Sequence, residues 1–172
     1  MAAVAGRGRH GTLLDLTPSD LEAEVSAKLE SLLNVVRPAV SHLIETAGRV
    51  VGLTAPTAWR PDPAMGAISV GRAALDTAMS SLAQELASTG VRVNAVGVGL
   101  IDTPRQRSRH AEKDAGIRYQ DWIGEQARLR SVPLGRAGTA AEVAAAICWL
   151  LSPVSSYTTG AVLDVTGGLR SR

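Results

Sequence analysis

The segment from Ile68 to Pro104 constrains the fold of this 172-residue chain more than any other. Leu75, Met79, Leu82 and Leu86 recur every three or four residues, which predicts a helix over 69–88 with one apolar stripe. Ala73, Ala74, Ala78, Ser80, Ser81, Ala83 and Ala87 fill much of the rest. Small residues let a neighbouring element approach closely, and such a helix needs that neighbour to be stable. Gly90 stands where a helix C-terminus favours a left-handed residue. Val91-Arg92-Val93-Asn94-Ala95-Val96 then reads as a strand, and residues 97–104 as a loop.

The same alternation runs through the whole chain. Residues 2–5 read as a short apolar strand. Gly6-Arg7-Gly8-Arg9-His10-Gly11 matches G-x-G-x-x-G, but no helix opens directly behind it, so it reads as a solvated glycine-rich loop. Thr17 caps the next helix, Pro18 takes its first position and Asp20 supports its first turn. Leu21, Val25, Leu29, Leu32, Val36, Val40 and Leu43 form its stripe, with a bend expected at Pro38. Lys28 on this helix reads as part of a solvated face. Arg49-Val50-Val51-Gly52-Leu53-Thr54 is a buried strand, and residues 55–67 form a loop. Residues 105–118, rich in Arg and Lys, read as a mobile solvated loop, followed by a short helix at Tyr119, Trp122, Ile123 and Gln126. Thr139-Ala140-Ala141-Glu142 is a capping box that opens a helix ending near Pro153. Ala161-Val162-Leu163-Asp164-Val165 is the last strand. Strands alternating with helices predict an α/β fold with a parallel sheet.

Composition excludes several classes of function. A net charge of +2 and few aromatic residues argue against a nucleic-acid partner. No apolar run reaches the roughly 18 residues of a membrane helix. The single cysteine, Cys148, leaves no internal disulfide, reads as a buried inert thiol on an apolar helix, and suits a reducing cytoplasm. His10 has no second His or Cys nearby, so no metal site is expected.

Several of these segments, in this order, resemble the C-terminal part of a classical short-chain dehydrogenase/reductase. They are Gly71-Arg72-Ala73-Ala74-Leu75, Val91-Arg92-Val93-Asn94-Ala95-Val96, Gly99-Leu100-Ile101-Asp102-Thr103-Pro104, Pro133-Leu134-Gly135-Arg136 and Gly160 through Gly168. Leu13-Leu14-Asp15-Leu16-Thr17-Pro18 resembles the segment after the family's N-A-G motif, itself matched here by Val4-Ala5-Gly6. The resemblance implies a partial Rossmann-like sheet with flanking helices. It also implies one domain over 1–172, truncated and lacking the N-terminal dinucleotide-binding units.

The same resemblance implies lost chemistry. Ile68 stands at the position of the catalytic Tyr, Arg72 at the Lys, Ala55 at the Ser and Lys28 at the helix Asn; Gly97-Val98 replaces the usual Ser-Pro. Ile68 has no ionisable hydroxyl, and Arg72 is permanently charged. No catalytic residue is therefore expected, nor any cofactor, with Ile101 and Thr103 as the candidates for nicotinamide-side contacts. The expected role is a non-catalytic structural or regulatory subunit. It would assemble with itself or with a full-length family member through the helices at 18–46 and 69–88, or through the last helix and strand. Two alternatives stand beside it: an NAD- or NADP-dependent oxidoreductase completed by a partner chain, and a non-redox enzyme using Arg72, Lys28, Trp59 or Asp62.

Overall fold

The structure, a computed structural model, describes residues 8–113 and 116–169. The apolar stub at 2–5, the Val4-Ala5-Gly6 match and the first two residues of the G-x-G-x-x-G match lie outside the described residues. The chain runs α1 (Pro18–Glu45), β1 (Arg49–Thr54), α2 (Gly66–Leu86), β2 (Arg92–Val98), β3 (Ile101–Asp102), α3 (Pro104–Lys113), α4 (Tyr119–Leu129), β4 (Gly138–Thr139), α5 (Ala140–Leu151) and β5 (Val162–Val165).

Strands β1, β2 and β5 form one parallel sheet in that order. Val51 lies opposite Asn94, and Ala95 opposite Val162. Every residue of β2 from Arg92 to Gly97 is buried, as a central parallel strand covered on both faces requires. On one face α1 and α2 contribute Leu32, Val36, Leu75, Met79 and Ala83 to a core with Val50, Val91, Val93 and Ala95. On the other face α5 contributes Val143 and Leu150 to a second core with Val51, Val96 and Ile101. The expected α/β class and parallel sheet are present.

Local chemistry sets the element ends. Thr17 Oγ1 accepts from the Asp20 N–H at 3.3 Å, and Asp20 Oδ2 accepts from the Thr17 N–H at 3.0 Å. The helix continues through Pro38, which faces solvent late in α1. Gly90 closes α2 through a short 3-10 turn with φ of +80°, where a side chain would be strained. Thr139 and Glu142 form the expected capping box at α5.

Three expectations need correction. The segment at 105–118 is not a loop: α3 occupies Pro104–Lys113. It buries no residue, so no apolar stripe marks it in the sequence. The Thr103 carbonyl accepts from the Gln106 and Arg107 N–H groups and starts it instead. Cys148 is exposed on α5, because the stripe that faces the sheet is Val143, Ala146, Ile147, Leu150 and Leu151. The small-residue face of α2, expected to serve assembly, is spent partly inside the chain. At Gly71 an added Cβ would lie 2.9 Å from Glu24 Cγ, so α1 packs directly on α2 there.

Candidate functional site

The site lies where β1 and β2 end and α1 and α2 face each other. Strand β1 delivers Thr54 and Ala55, both buried, and the following 3-10 turn (Pro56–Ala58) presents Thr57. Helix α2 begins at Gly66, whose N–H donates to the Gly11 carbonyl at 3.1 Å. That pairing brings residues 8–11 across the start of α2. An added Cβ on Gly8 would overlap Ile68 and lie 3.1 Å from Glu24 Oε2, so Gly8, Ile68 and Glu24 meet at one point.

The four family positions therefore converge, with altered chemistry. Ile68 is buried and offers only hydrocarbon. Ala55 offers a methyl group beside the Thr54 hydroxyl, which is buried without a hydrogen bond. Lys28 is not on a solvated face: its side chain is 13% exposed and its Nζ lies 3.2 Å from Glu24 Oε1, on a carboxylate side chain 6% exposed. The reason is the close approach of α1 to α2 at Gly71, which closes over the first half of α1. Arg72 donates from Nη1 to Thr57 Oγ1 at 2.6 Å. Burial lowers the Arg72 pKa, Glu24 and Asp76 oppose that shift, and the Arg105 guanidinium adds to it.

The sequence reading missed four residues here: Glu24, Thr57, Asp76 and Arg105. Glu24 was within reach, because Glu and Lys four apart on a helix are neighbours. Asp76 was equally so, four residues after Arg72 on α2, whereas Thr57 and Arg105 come from elements whose relative placement is tertiary. Trp59 and Asp76 line a separate cleft of about 500 Å³ with Ser80, Ser81 and Gln84. Asp62 accepts from the Ala64 N–H at 2.9 Å in its own loop, and its charge acts on Arg130 rather than on Arg72.

Beyond β2 the chain forms the edge that the resemblance assigns to a nicotinamide. Ile101 is buried in the core beneath α5 and pairs with Gly138 of β4, so its side chain is committed there. Thr103 is half-buried, and its hydroxyl makes no hydrogen bond with a described residue. Asp102 fastens this edge to both following helices. It accepts from Arg107 Nη2 at 2.8 Å and from the Tyr119 hydroxyl at 2.5 Å. Burial and Asp102 push the Tyr119 phenol up to about 12. A hydroxyl without a hydrogen bond to a described residue can donate to or accept from a carboxamide. Of the two candidate positions, Thr103 thus has the chemistry that fits a nicotinamide carboxamide, and Ile101 does not reach it. A larger cleft of about 680 Å³, against β5 and the start of α5, is lined by Leu100 and Ile101 of this edge and contains none of the four family positions. Among the described residues no His, Cys, Asp and Glu cluster could hold a metal ion.

The family model described as Enoyl-(Acyl carrier protein) reductase matches residues 1–170. The chain belongs to the short-chain dehydrogenase/reductase family. Carbonyl reductase family member 4 of Danio rerio is 32% identical over 96% of this chain, and 3-oxoacyl-(acyl-carrier-protein) reductase FabG of Thermotoga maritima is likewise 32% identical over 96%. The chain spans 63% of the length of each of these relatives. A short chain oxidoreductase of Pseudomonas aeruginosa PAO1, described as containing an atypical catalytic centre, superposes with a TM-score of 0.92 at 35% identity, over 99% of this chain and 66% of that one. Its NADPH-bound form superposes with a TM-score of 0.90 at 34% identity, over 99% and 65%. That finding overturns the expectation of no cofactor: within this family, an atypical centre and bound NADPH occur in one protein. No helix among the described residues is long and apolar enough to cross a membrane.

Proposed function

We propose that this chain forms the substrate side and nicotinamide side of an NADP(H)-dependent short-chain oxidoreductase whose centre uses Lys28 in place of a tyrosine. The observation that carries this reading is the buried Lys28–Glu24 pair beside Ile68 and Arg72. Burying two ionised groups is costly, and a chain that had simply lost catalysis would gain by filling the space with hydrocarbon. A bound nicotinamide supplies the hydride. Thr103 would hold its carboxamide. A carbonyl reduced there also needs a proton on oxygen. Ile68 and Ala55 cannot deliver one, whereas a lysine ammonium oriented by a carboxylate can. The 172 residues act as one domain in this reading, and the family positions at Ala55 and Ile68 remain without catalytic roles.

The test is an NADPH titration of the chain followed by nicotinamide fluorescence, with a turnover assay on a panel of aldehydes and ketones. Saturable binding is expected in the native chain and in Lys28→Met. Turnover is expected to fall about 100-fold in Lys28→Met, the scale of a lost general acid. Absent NADPH saturation, or turnover indifferent to Lys28→Met, would reject the reading.

A second reading is favoured by one observation. Trp149, Val154 and Tyr157 are exposed on α5 and the turn behind it. In this reading the chain is a structural or regulatory subunit in the cytoplasm, assembling with itself or with a full-length family member across that face.

A further inference from the structure

The cleft of about 500 Å³ beside Trp59 contains none of Lys28, Ala55, Ile68 and Arg72. Its main wall is the polar face of α2. Asp76, Ser80 and Gln84 stand four apart there, as do Ser81 and Glu85, so they form two neighbouring rows on one face. From Asp76 to Glu85 this face runs about 13 Å along the helix axis. Gly160 and Val162, where the chain enters β5, complete the lining with Trp59, which is 42% exposed. The side chains of Ser80, Ser81, Gln84 and Glu85 make no hydrogen bond or ion pair with a described residue. Asp76 is 4% exposed, so its carboxylate lies below the surface of the cleft.

The lining selects a class of ligand. The hydroxyls of Ser80 and Ser81 and the carboxamide of Gln84 both donate and accept, whereas the carboxylates of Asp76 and Glu85 accept only. That set matches a ligand rich in hydroxyl groups. No described Lys, Arg or His lines the cleft, so its carboxylates give it a negative field that turns away anions and draws cations. The indole of Trp59 offers a flat apolar surface to a ring and its π face to a positive charge. The volume suits a small molecule. We infer that this cleft binds a small polyhydroxylated ring carrying a positive charge, the chemistry of an amino sugar. The inference does not rest on the oxidoreductase reading, because no residue given a part in that chemistry lines the cleft.

Nuclear magnetic resonance of the full chain, labelled at its tryptophan indoles, tests this without requiring turnover. The chain has three tryptophans, and Trp59→Phe identifies the Trp59 signal by its loss. Titration with glucosamine is expected to move that signal saturably and to leave those of Trp122 and Trp149 in place. Glucose, the same ring without the charge, is expected to bind several-fold more weakly, and glucuronate, an anionic counterpart, is expected not to saturate. Asp76→Asn is expected to weaken glucosamine about tenfold, the scale of one charge-assisted hydrogen bond. Glu85→Gln changes an exposed residue and is expected to weaken it several-fold, so it keeps the test decisive should Asp76→Asn fail to fold. A Trp59 signal that never saturates with glucosamine, or glucosamine binding equal in the native chain and Glu85→Gln, overturns the inference. So does glucuronate, or putrescine with its two charges and no hydroxyls, binding as tightly as glucosamine.

Discussion

Lys28 and Glu24 lie where water scarcely reaches, on a helix pressed against its neighbour at Gly71. Removing one member of such a pair leaves the other ionised and poorly compensated. Glu24→Gln is expected to cost about 3 kcal/mol in urea unfolding, whereas Glu24→Leu with Lys28→Met is expected to be close to neutral or stabilising. A Glu24→Gln chain as stable as the native one would show that the pair is solvated after all. The identities of these residues could be read from the sequence, as could the fact that Ile68 and Ala55 carry no phenol or hydroxyl. The depth of Lys28 was not. A helical period tells which residues share a face, but not how closely the next helix comes. A lysine beside an apolar stripe is solvated or buried according to a neighbour far away in sequence.

Helix ends were the most legible elements, because a cap is made by residues three apart. Thr17 with Asp20, and Thr139 with Glu142, appear in the structure as read. At α5 the cap reaches further. Arg136 Nη2 lies 2.6 Å from Glu142 Oε1, and the Thr139 N–H donates to Glu142 Oε2 at 2.7 Å. Arg136 first, then the Thr139 N–H, lower the Glu142 carboxyl from 4.5 to about 2. A carboxyl whose pKa is lowered on folding stabilises the fold above its unfolded pKa and stops doing so as pH falls through the folded one. The native chain is therefore expected to melt above Glu142→Gln at pH 6. The gap should narrow between about pH 4.5 and pH 2 and close at the acid end; a gap independent of pH would remove Glu142 from the cap. Helix α3 was illegible for the opposite reason. It has no buried residue, and its position depends on Arg107 and Tyr119 meeting at Asp102.

At the scale of the whole molecule, β5 forms one edge of the described three-stranded sheet, and its residues are only partly covered. On α5 and the turn that follows it, Trp149 is 42% exposed, Val154 79% and Tyr157 fully exposed, apolar side chains that water does not favour. If this face mediates self-association, Val154→Asp with Tyr157→Ser should lower the mass seen by light scattering toward that of a single chain. Equal masses for the two proteins at equal concentration would assign assembly to another face. The sequence by itself determined the alternation of elements, the parallel sheet and the family. Each of these follows from local periodicity or from residue identity. Only the tertiary structure decided that Lys28 is buried with Glu24 and that Arg72 reaches across to the Thr57 hydroxyl. Electrostatic energy depends on distance and on exclusion of water, and both are set by how α1, α2 and α3 pack rather than by any one segment.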